Sequence, residues 1–596
     1  MLFRSWDTPL LLSPHSNTRL YIAANKVFRS DDRGQSWTAI SQDLTRQIDR
    51  NQLPVMGKVW GPEAVAKNAS TSLYGNIISL TESPLRENLL FVGTDDGLVQ
   101  ITEDAGKNWR KIDKFSGIPE TTYVSDLLAS NLDENVVYAA FNNHKRADFK
   151  PYLLKSNDKG KTWKSIVGNL PDNQPIWTVA EDHINPNLLF VGTEFGAYFT
   201  IDGGNKWVQI KGDFPTIAVR DLEIQKREND LIIGTFGRGI YVLDNYTLLR
   251  EINNDILNKE AHVFSVKDAL MFNPDESRAK ESTGETFFRA KNPDFGACFS
   301  IYLKEGYKTK KQIRQEQEKK LRKDGKTPPY PTLQELKNED DEKPVSLILT
   351  ITDETGFVIR RLTASASPGI QRVYWDLRYP DVSPVSEKTQ INKNSGMMVN
   401  PGKYFVSLSK VVNGEIIQLS EPVAFNTKVL NNVTLPAKER KELVAFQQKT
   451  ARLQRAVFGA NNAINDLKKK LDIIKNALIS TPNASNELIQ KTKDMDLSLD
   501  QINIELNGNP SISKRNENQP PSIIDRLNYI LWGVWATSQE PTKTQHDAFK
   551  IASEMFSATY NKLKNLVEVD IKKIEEEMNK LGSPWTPGRL PEWRPE

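Results

Sequence analysis

The sequence predicts a multidomain chain, mainly β first and then α. Three observations carry this. A Ser/Thr-x-Asp-x-Gly-x-x-Trp motif recurs four times in the first half, apolar residues alternate with period two in the middle, and the last third carries an a/d stripe. Strands bury alternate residues and helices bury a stripe, so the change of period marks a change of architecture.

The four motifs place Ser30, Asp32, Gly34 and Trp37; Thr102, Asp104, Gly106 and Trp109; Ser156, Asp158, Gly160 and Trp163; and Thr200, Asp202, Gly204 and Trp207 in one register. Each follows a short apolar run of β character. That is the grammar of a hairpin turn: the hydroxyl and carboxylate bind turn N–H groups, the glycine is left-handed, and the tryptophan folds back under the hairpin. A longer repeat surrounds the motif, since Leu89-Leu-Phe-Val-Gly93-Thr matches Leu188-Leu-Phe-Val-Gly192-Thr and, more loosely, Leu231-Ile-Ile-Gly234-Thr. Five such units fit between residues 6 and 244. The motif aspartates lie 72, 54 and 44 residues apart. The shortest spacing suits a propeller blade of ~40–50 residues, and the longer ones imply insertions near residues 42–72 and 142–149. A lone meander cannot bury both faces, so the units are expected to stack radially around a channel. The fifth unit lacks the motif, and residues 262–266 are the candidate for its outer strand.

On these residues the motif is identified as the Asp-box, or bacterial neuraminidase repeat, of β-propellers. Residues 1–249 then read as a partial Asp-box propeller of about five blades, with the box residues serving structure rather than catalysis.

Residues 250–430 change grammar. Period-two strands run through 286–303 and 345–425, with turns at Gly356, Gly369 and Pro401-Gly402. The segment resembles an immunoglobulin- or fibronectin-like β-sandwich interrupted by a charged insert at 307–343, whose 310–323 part reads as a solvated helix. Cys298 reads as a buried strand residue. In 431–582 the stripe Phe446, Leu453, Val457, Ala460, Ile464, Leu467, Leu471, Ile474 and Leu478 steps by sevens, fours and threes. With similar stripes at 488–506 and 549–581 and a shorter one at 523–535, this predicts an antiparallel helical bundle. Residues 583–596 read as an extended Trp/Pro-rich tail docking Trp585 and Trp593.

Composition narrows the function. Lys+Arg 79 against Asp+Glu 76 in 596 residues leaves +3, too balanced for a dedicated nucleic-acid binder. One cysteine permits no internal disulfide. The five histidines, His15, His144, His183, His262 and His546, show no ligand spacing, so no metal is expected. Gly234-Thr-Phe-Gly-Arg-Gly239 lies inside a strand repeat rather than before a helix, so no phosphate cradle and no cofactor are expected. No apolar run approaches the ~20 residues of a membrane span, and the first residues lack a signal-peptide apolar core.

The whole chain resembles the C-terminal portion of large exported bacterial proteins with a sortilin-like Asp-box propeller, a family often labelled glycosyl hydrolase. The resemblance rests on the boxes, on Val92-Gly-Thr-Asp-Asp-Gly97, on Gly234-Thr-Phe-Gly-Arg-Gly239 and on the Trp585-Thr-Pro-Gly-Arg589 tail. It implies an extracellular or periplasmic protein, with further blades and a signal peptide upstream of this stretch. It also implies a peptide ligand in the channel, as sortilin-type propellers take.

The polar residues opening the inner strands are where function is expected. Tyr123, His144, Trp177, Arg220 and Arg238 are the ligand-binding candidates for a peptide, glycan or protein partner. The alternative is a glycoside hydrolase, which needs two carboxylates roughly 5–9.5 Å apart; Asp126 and Asp221 are the candidates. A sialidase would need an arginine cluster and a tyrosine nucleophile, and the sequence offers only Arg220 and Arg238 at suitable strand ends. Binding is the first reading and hydrolysis the second.

Overall fold

The computed structural model describes residues 7–65, 67, 74–272, 274, 288, 290–385, 396–430, 440–535, 539–590, 593 and 595. The chain divides into two compact units, residues 1–254 and 255–596.

The first unit consists of five consecutive antiparallel meanders, propeller-like blades 1 to 5. Blades 1 to 4 have four strands each, over residues 10–39, 77–112, 123–165 and 176–209, and blade 5 has three, over 219–243. The four boxes occupy the same hairpin in each of blades 1 to 4, between the third and fourth strands. Their bonding repeats almost atom for atom. Ser30 Oγ donates to Asp32 Oδ1 at 2.7 Å and accepts from Gly34 N at 2.8 Å, while Asp32 Oδ1 accepts from Ser36 N at 2.9 Å. Thr102–Asp104, Ser156–Asp158 and Thr200–Asp202 repeat this at 2.7–2.8 Å. Gly34, Gly106, Gly160 and Gly204 all have positive φ, and so do the residues before them, Arg33, Ala105, Lys159 and Gly203. Two successive left-handed residues make the reversal tight enough for a hairpin. The Trp37, Trp109 and Trp163 indoles donate to the box glycine carbonyl at 3.0–3.1 Å. Trp207 instead donates to Ile166 O of blade 3, at 3.0 Å.

Blades stack through apolar faces. Tyr21 and Val27 of blade 1 pack with Ile77, Leu90 and Val92 of blade 2, and the pattern repeats as Phe91 and Val99 on Leu127 and Ala139, then as Tyr138 and Leu153 on Val179 and Leu189. Two junctions add a buried carboxylate. Glu82 accepts from Ser13 Oγ at 2.6 Å and Tyr21 OH at 3.3 Å, and Glu181 accepts from Ser130 Oγ at 2.7 Å and Tyr138 OH at 2.9 Å. Buried carboxylates are tolerated only when their lone pairs find donors. Where the tyrosine is replaced by Phe91 or Phe190, the carboxylate is replaced by Ala129 or Ile224.

The second unit opens with a three-strand antiparallel sheet (Ala261–Val263, Ala297–Leu303, Gly369–Trp375) and a curled six-strand sheet. The six-strand sheet is mixed, because Ala269–Met271 pairs in parallel with Val423–Val429. Both sheets contribute to one core around Phe299, Leu349, Trp375 and Phe425. This overturns the reading of residues 262–266 as blade 5's outer strand: His262 pairs with Tyr302 in the second unit, and blade 5 remains three-stranded. Residues 286, 287 and 289 of the expected strand over 286–303 lie outside the described residues; the strand described there is Ala297–Leu303. Cys298 is half-buried rather than buried. The insert forms helices Lys310–Lys323 and Leu333–Asp340, each opened by a capping box and neither burying a residue.

Helices Arg440–Ile479, Asn486–Asn507, Ile523–Trp535, Lys543–Asn565 and Ile571–Lys580 follow, the last two joined by a π-helical turn. Every residue of the predicted stripe from Phe446 to Leu478 is buried. The first two helices run antiparallel, with Lys468 bonding Asp500 and Asn461 bonding Asn507. The tail differs from expectation: Trp585 and Trp593 are exposed, and Thr586 is the buried residue.

Candidate functional site

The first strand of blades 2 to 5 carries a bulge at one equivalent position. Pairing shifts register between Ile77 and Ser79, between Tyr123 and Asp126, between Ile176 and Thr178 and between Val219 and Asp221. A bulge adds an unpaired residue and re-aims its side chain. Ile78, Trp177 and Arg220 are the residues so placed in blades 2, 4 and 5, and all three line one cavity of about 840 Å³ in the first unit.

Tyr123 and His144 line the same cavity, so four of the five residues chosen as ligand contacts are brought together. Arg238 is not among the lining residues; it sits on an exposed turn between Gly237 and Gly239, both at positive φ. Sequence reading missed Asp7, Tyr74, Asp95 and Arg146, which line it together with Lys145. The insertion inside blade 3, a 3-10 turn at His144–Arg146, delivers three consecutive basic-type side chains to the wall. The insertion near residues 42–72 contributes Leu53, Pro54 and Val55.

The polar groups are interlocked. The Arg220 guanidinium lies 3.4 Å from the Trp177 ring centroid, and the His144 ring meets Trp177 edge-on at 5.2 Å. Such stacking holds a guanidinium in place without neutralising it. Trp177 Nε1 donates to Glu194 Oε2 at 2.8 Å, and Arg220 reaches the same oxygen only at 3.9 Å. Asn142 Oδ1 accepts from the His144 backbone N–H and faces His144 Nδ1. An amide oxygen only accepts, so Nδ1 carries the proton and Nε2 keeps its lone pair. Burial, with Lys145 and Arg220 adding, holds the His144 pKa below its usual value and favours this neutral ring. Tyr123 OH donates to Asp7 Oδ2 at 2.9 Å, and burial pushes its phenol well above the usual range. Burial also raises Asp95, although Gly75 N, Asn76 N and Asn76 Nδ2 all donate to it. Arg146 donates to the carbonyls of Glu120 and Thr121 at 3.0 and 3.1 Å. Among the described residues neither Lys145 nor Arg146 has a carboxylate within 4.0 Å.

The two candidate carboxylates sit elsewhere. Asp126 and Asp221 are not among the cavity-lining residues. Asp126 Oδ2 accepts from Val179 N at 2.9 Å and Thr178 Oγ1 at 3.0 Å, which clips blade 3 to blade 4. Burial pushes its pKa up to about 6, with the charge of Asp221 adding to the rise. Asp221 is exposed on blade 5 and accepts from Leu222 N. The box aspartates are held low by their turn donors; Asp104 is lowered to about 2 by Asn108 and Thr102. Among the described residues no cluster of His, Cys, Asp or Glu could hold a metal ion, and no helix is long and apolar enough to cross a membrane.

Fold and cavity define a set of propeller-like Asp-box blades with one basic, aromatic-lined cavity. No family model matches the chain, and no curated protein matches it. Among solved structures it is similar to the GH74 xyloglucanase from Xanthomonas campestris, at 20% identity over 41% of this chain and 37% of that one, with a TM-score of 0.31. It is also similar to YCF48 from Cyanidioschyzon merolae, at 10% identity over 39% of this chain and 69% of that one, with a TM-score of 0.27. A third similar structure is PorZ, a bacterial surface component of the type-IX secretion system of Porphyromonas gingivalis. There the identity is 13% over 70% of this chain and 51% of that one, with a TM-score of 0.27. The chain spans well under half the length of the xyloglucanase it matches.

Proposed function

We propose that this is a ligand-capture protein whose channel-mouth cavity holds a peptide, glycan or protein segment, with acidic groups on the ligand favoured. The convergence of Tyr123, His144, Trp177 and Arg220 on one cavity carries this reading. Among the described residues no carboxylate lies within 4.0 Å of Lys145 or Arg146, so a ligand carboxylate or sulfate would complement their positive charge. The family resemblance adds a sortilin-like setting outside the cytoplasm, an immunoglobulin- or fibronectin-like kinship for the middle segment, and further blades beyond this stretch. Titration calorimetry with acidic and neutral peptides and with uronate and neutral oligosaccharides tests it. Acidic probes should bind, and Trp177→Ala or Arg220→Ala should weaken them by tenfold or so, a loss of about 1.4 kcal/mol. Equal affinity of wild type and both variants for every probe would exclude the cavity.

A second reading, glycoside hydrolysis by Asp126 and Asp221, has one observation in its favour: a carboxyl near 6 resembles a general acid. Turnover of a glycan by purified protein, abolished in Asp126→Asn and in Asp221→Asn with folding intact, would make it the first reading.

A further inference from the structure

One turn position recurs in three blades and is filled differently each time. After the Gly-Thr pair that ends the second strand stand Asp95 in blade 2, Glu194 in blade 4 and Phe236 in blade 5. The Asp95 carboxylate is taken up beside its own hairpin, by Gly75 N, Asn76 N and Asn76 Nδ2. Glu194 is one methylene longer. It reaches the bulge residue of the neighbouring first strand and accepts from Trp177 Nε1 at 2.8 Å. Phe236 has no carboxylate, and its ring centroid lies 5.1 Å from the Arg220 guanidinium.

Two rings thus lie against Arg220, and its N–H groups stay open. Among the described residues the Arg220 guanidinium donates no hydrogen bond, and the nearest carboxylate oxygen, Glu194 Oε2, is 3.9 Å away. That separation is too long for a hydrogen bond, yet the two charges still act on each other. Arg146 differs, because its guanidinium is committed to the carbonyls of Glu120 and Thr121. Lys145 lies over the Tyr123 ring at 4.9 Å. Arg220 is therefore the planar donor fork that the cavity holds ready, and such a fork matches a carboxylate with two parallel hydrogen bonds.

We infer that Glu194 is a positioning residue that sets the cavity's selectivity for acidic ligands. It holds Trp177 against Arg220, leaves the guanidinium N–H groups to a ligand carboxylate, and opposes that carboxylate with its own charge. This role rests on the capture of acidic ligands proposed above. Glu194 does not line the cavity, whereas Trp177 and Arg220 do, so it acts through them. Its charge reaches the cationic cluster: burial, Lys145 and Arg220 lower the His144 pKa, and Glu194 works against them. A carboxylate that meets the fork edge-on outweighs the opposing charge, whereas a ligand without one gains nothing from Arg220.

Titration calorimetry of the full chain tests this with a glutamate-containing peptide and a uronate oligosaccharide, each beside its neutral counterpart. Glu194→Gln removes the charge and keeps an acceptor for Trp177 Nε1. It should bind the acidic probe that wild type takes about threefold more tightly, the scale of one solvent-exposed charge pair. The advantage should shrink as salt is added, and neutral probes should bind as they do to wild type. Glu194→Ala, which also frees Trp177, should fall short of Glu194→Gln. The acidic probe that responds, peptide or uronate, identifies the source of the carboxylate. Equal or weaker binding by Glu194→Gln, an advantage that ignores salt or extends to neutral probes, or equal gains in both variants would overturn the role of Glu194 and leave ligand capture standing. No binding of either acidic probe by wild type or by either variant would overturn both.

Discussion

The box turns and the cavity use the same kinds of residue to opposite ends. In the turns, Asp32, Asp104, Asp158 and Asp202 each accept from a hydroxyl and from turn N–H groups, and their carboxyls sit below the usual range. In the cavity, burial raises Asp95 and lowers His144, and among the described residues no carboxylate lies within 4.0 Å of Lys145 or Arg146. Each box spends polarity on the backbone of its own hairpin. The cavity collects polarity from blades 2 to 5 and leaves part of it unspent. Repetition therefore marks structure in this protein, and the departures from the repeat mark the site.

Substitutions can break that contrast, and the largest effect is expected in the box turns. Gly106→Ala combines a left-handed backbone, φ +93°, with a Cβ 2.2 Å from Ile40 O. It should cost about 3 kcal/mol or more, whereas Gly34→Ala, whose Cβ would make only ordinary contacts of 3.6 Å with Leu20 and Trp37, should cost about 1 kcal/mol. Chemical denaturation of the two variants compares them directly, and equal losses would show that the box does not bear on the neighbouring blade. Asp158→Ala should come next, at ~1–3 kcal/mol, because it strands the N–H groups of Lys161 and Thr162. Ligand capture by the folded fraction should stay as in the parent; a variant that melts normally but no longer binds would erase the distinction between box and cavity.

Trp177→Ala should show the reverse profile, with capture of an acidic probe reduced and the melting temperature little changed. The Arg220 guanidinium stacked on it would lose its support. The smallest effect is a pH dependence at Asp126. Its folded pKa, about 6, lies above that of an unfolded aspartate, so the native state binds the proton more tightly. Stability should fall as pH rises from the unfolded value through about 6, and Asp126→Asn should remove that fall. Asparagine keeps an acceptor for Val179 N and Thr178 Oγ1, so the variant should compare more favourably with wild type at pH 7 than at pH 4. Parallel melting curves for the two proteins across that range would locate the carboxyl outside the buried clip.

Much of this was legible residue by residue. Five meanders, the box turns and the stripe from Phe446 to Leu478 follow from local chemistry, since a turn residue or an apolar period acts over a few positions. The cavity was legible only in part. Tyr123, Trp177 and Arg220 stand out as polar or aromatic residues opening strands, but Arg146 and Tyr74 sit in or beside insertions, where no repeat sets what a side chain reaches. One signal went unused: aligning Gly93 with Gly192 puts Ile78 and Trp177 in one column, and Arg220 falls one residue short of it before Gly234. The outer strand expected at 262–266 failed for a different reason, because β pairing is chosen by the available sheet edge, and Ala297–Leu303 supplied one.

By itself the sequence determined the local units: hairpins whose Ser/Thr, Asp and Gly satisfy their own backbone, and helices whose stripes demand partners. Only the tertiary structure decided which unspent groups share a space. Bulges turned Ile78, Trp177 and Arg220 into one cavity, and Asp126 was drawn into a clip with Val179. The reason is range. A hydrogen-bonded turn is settled within about eight residues, whereas burial and the electrostatic environment of a side chain depend on every blade that closes around it.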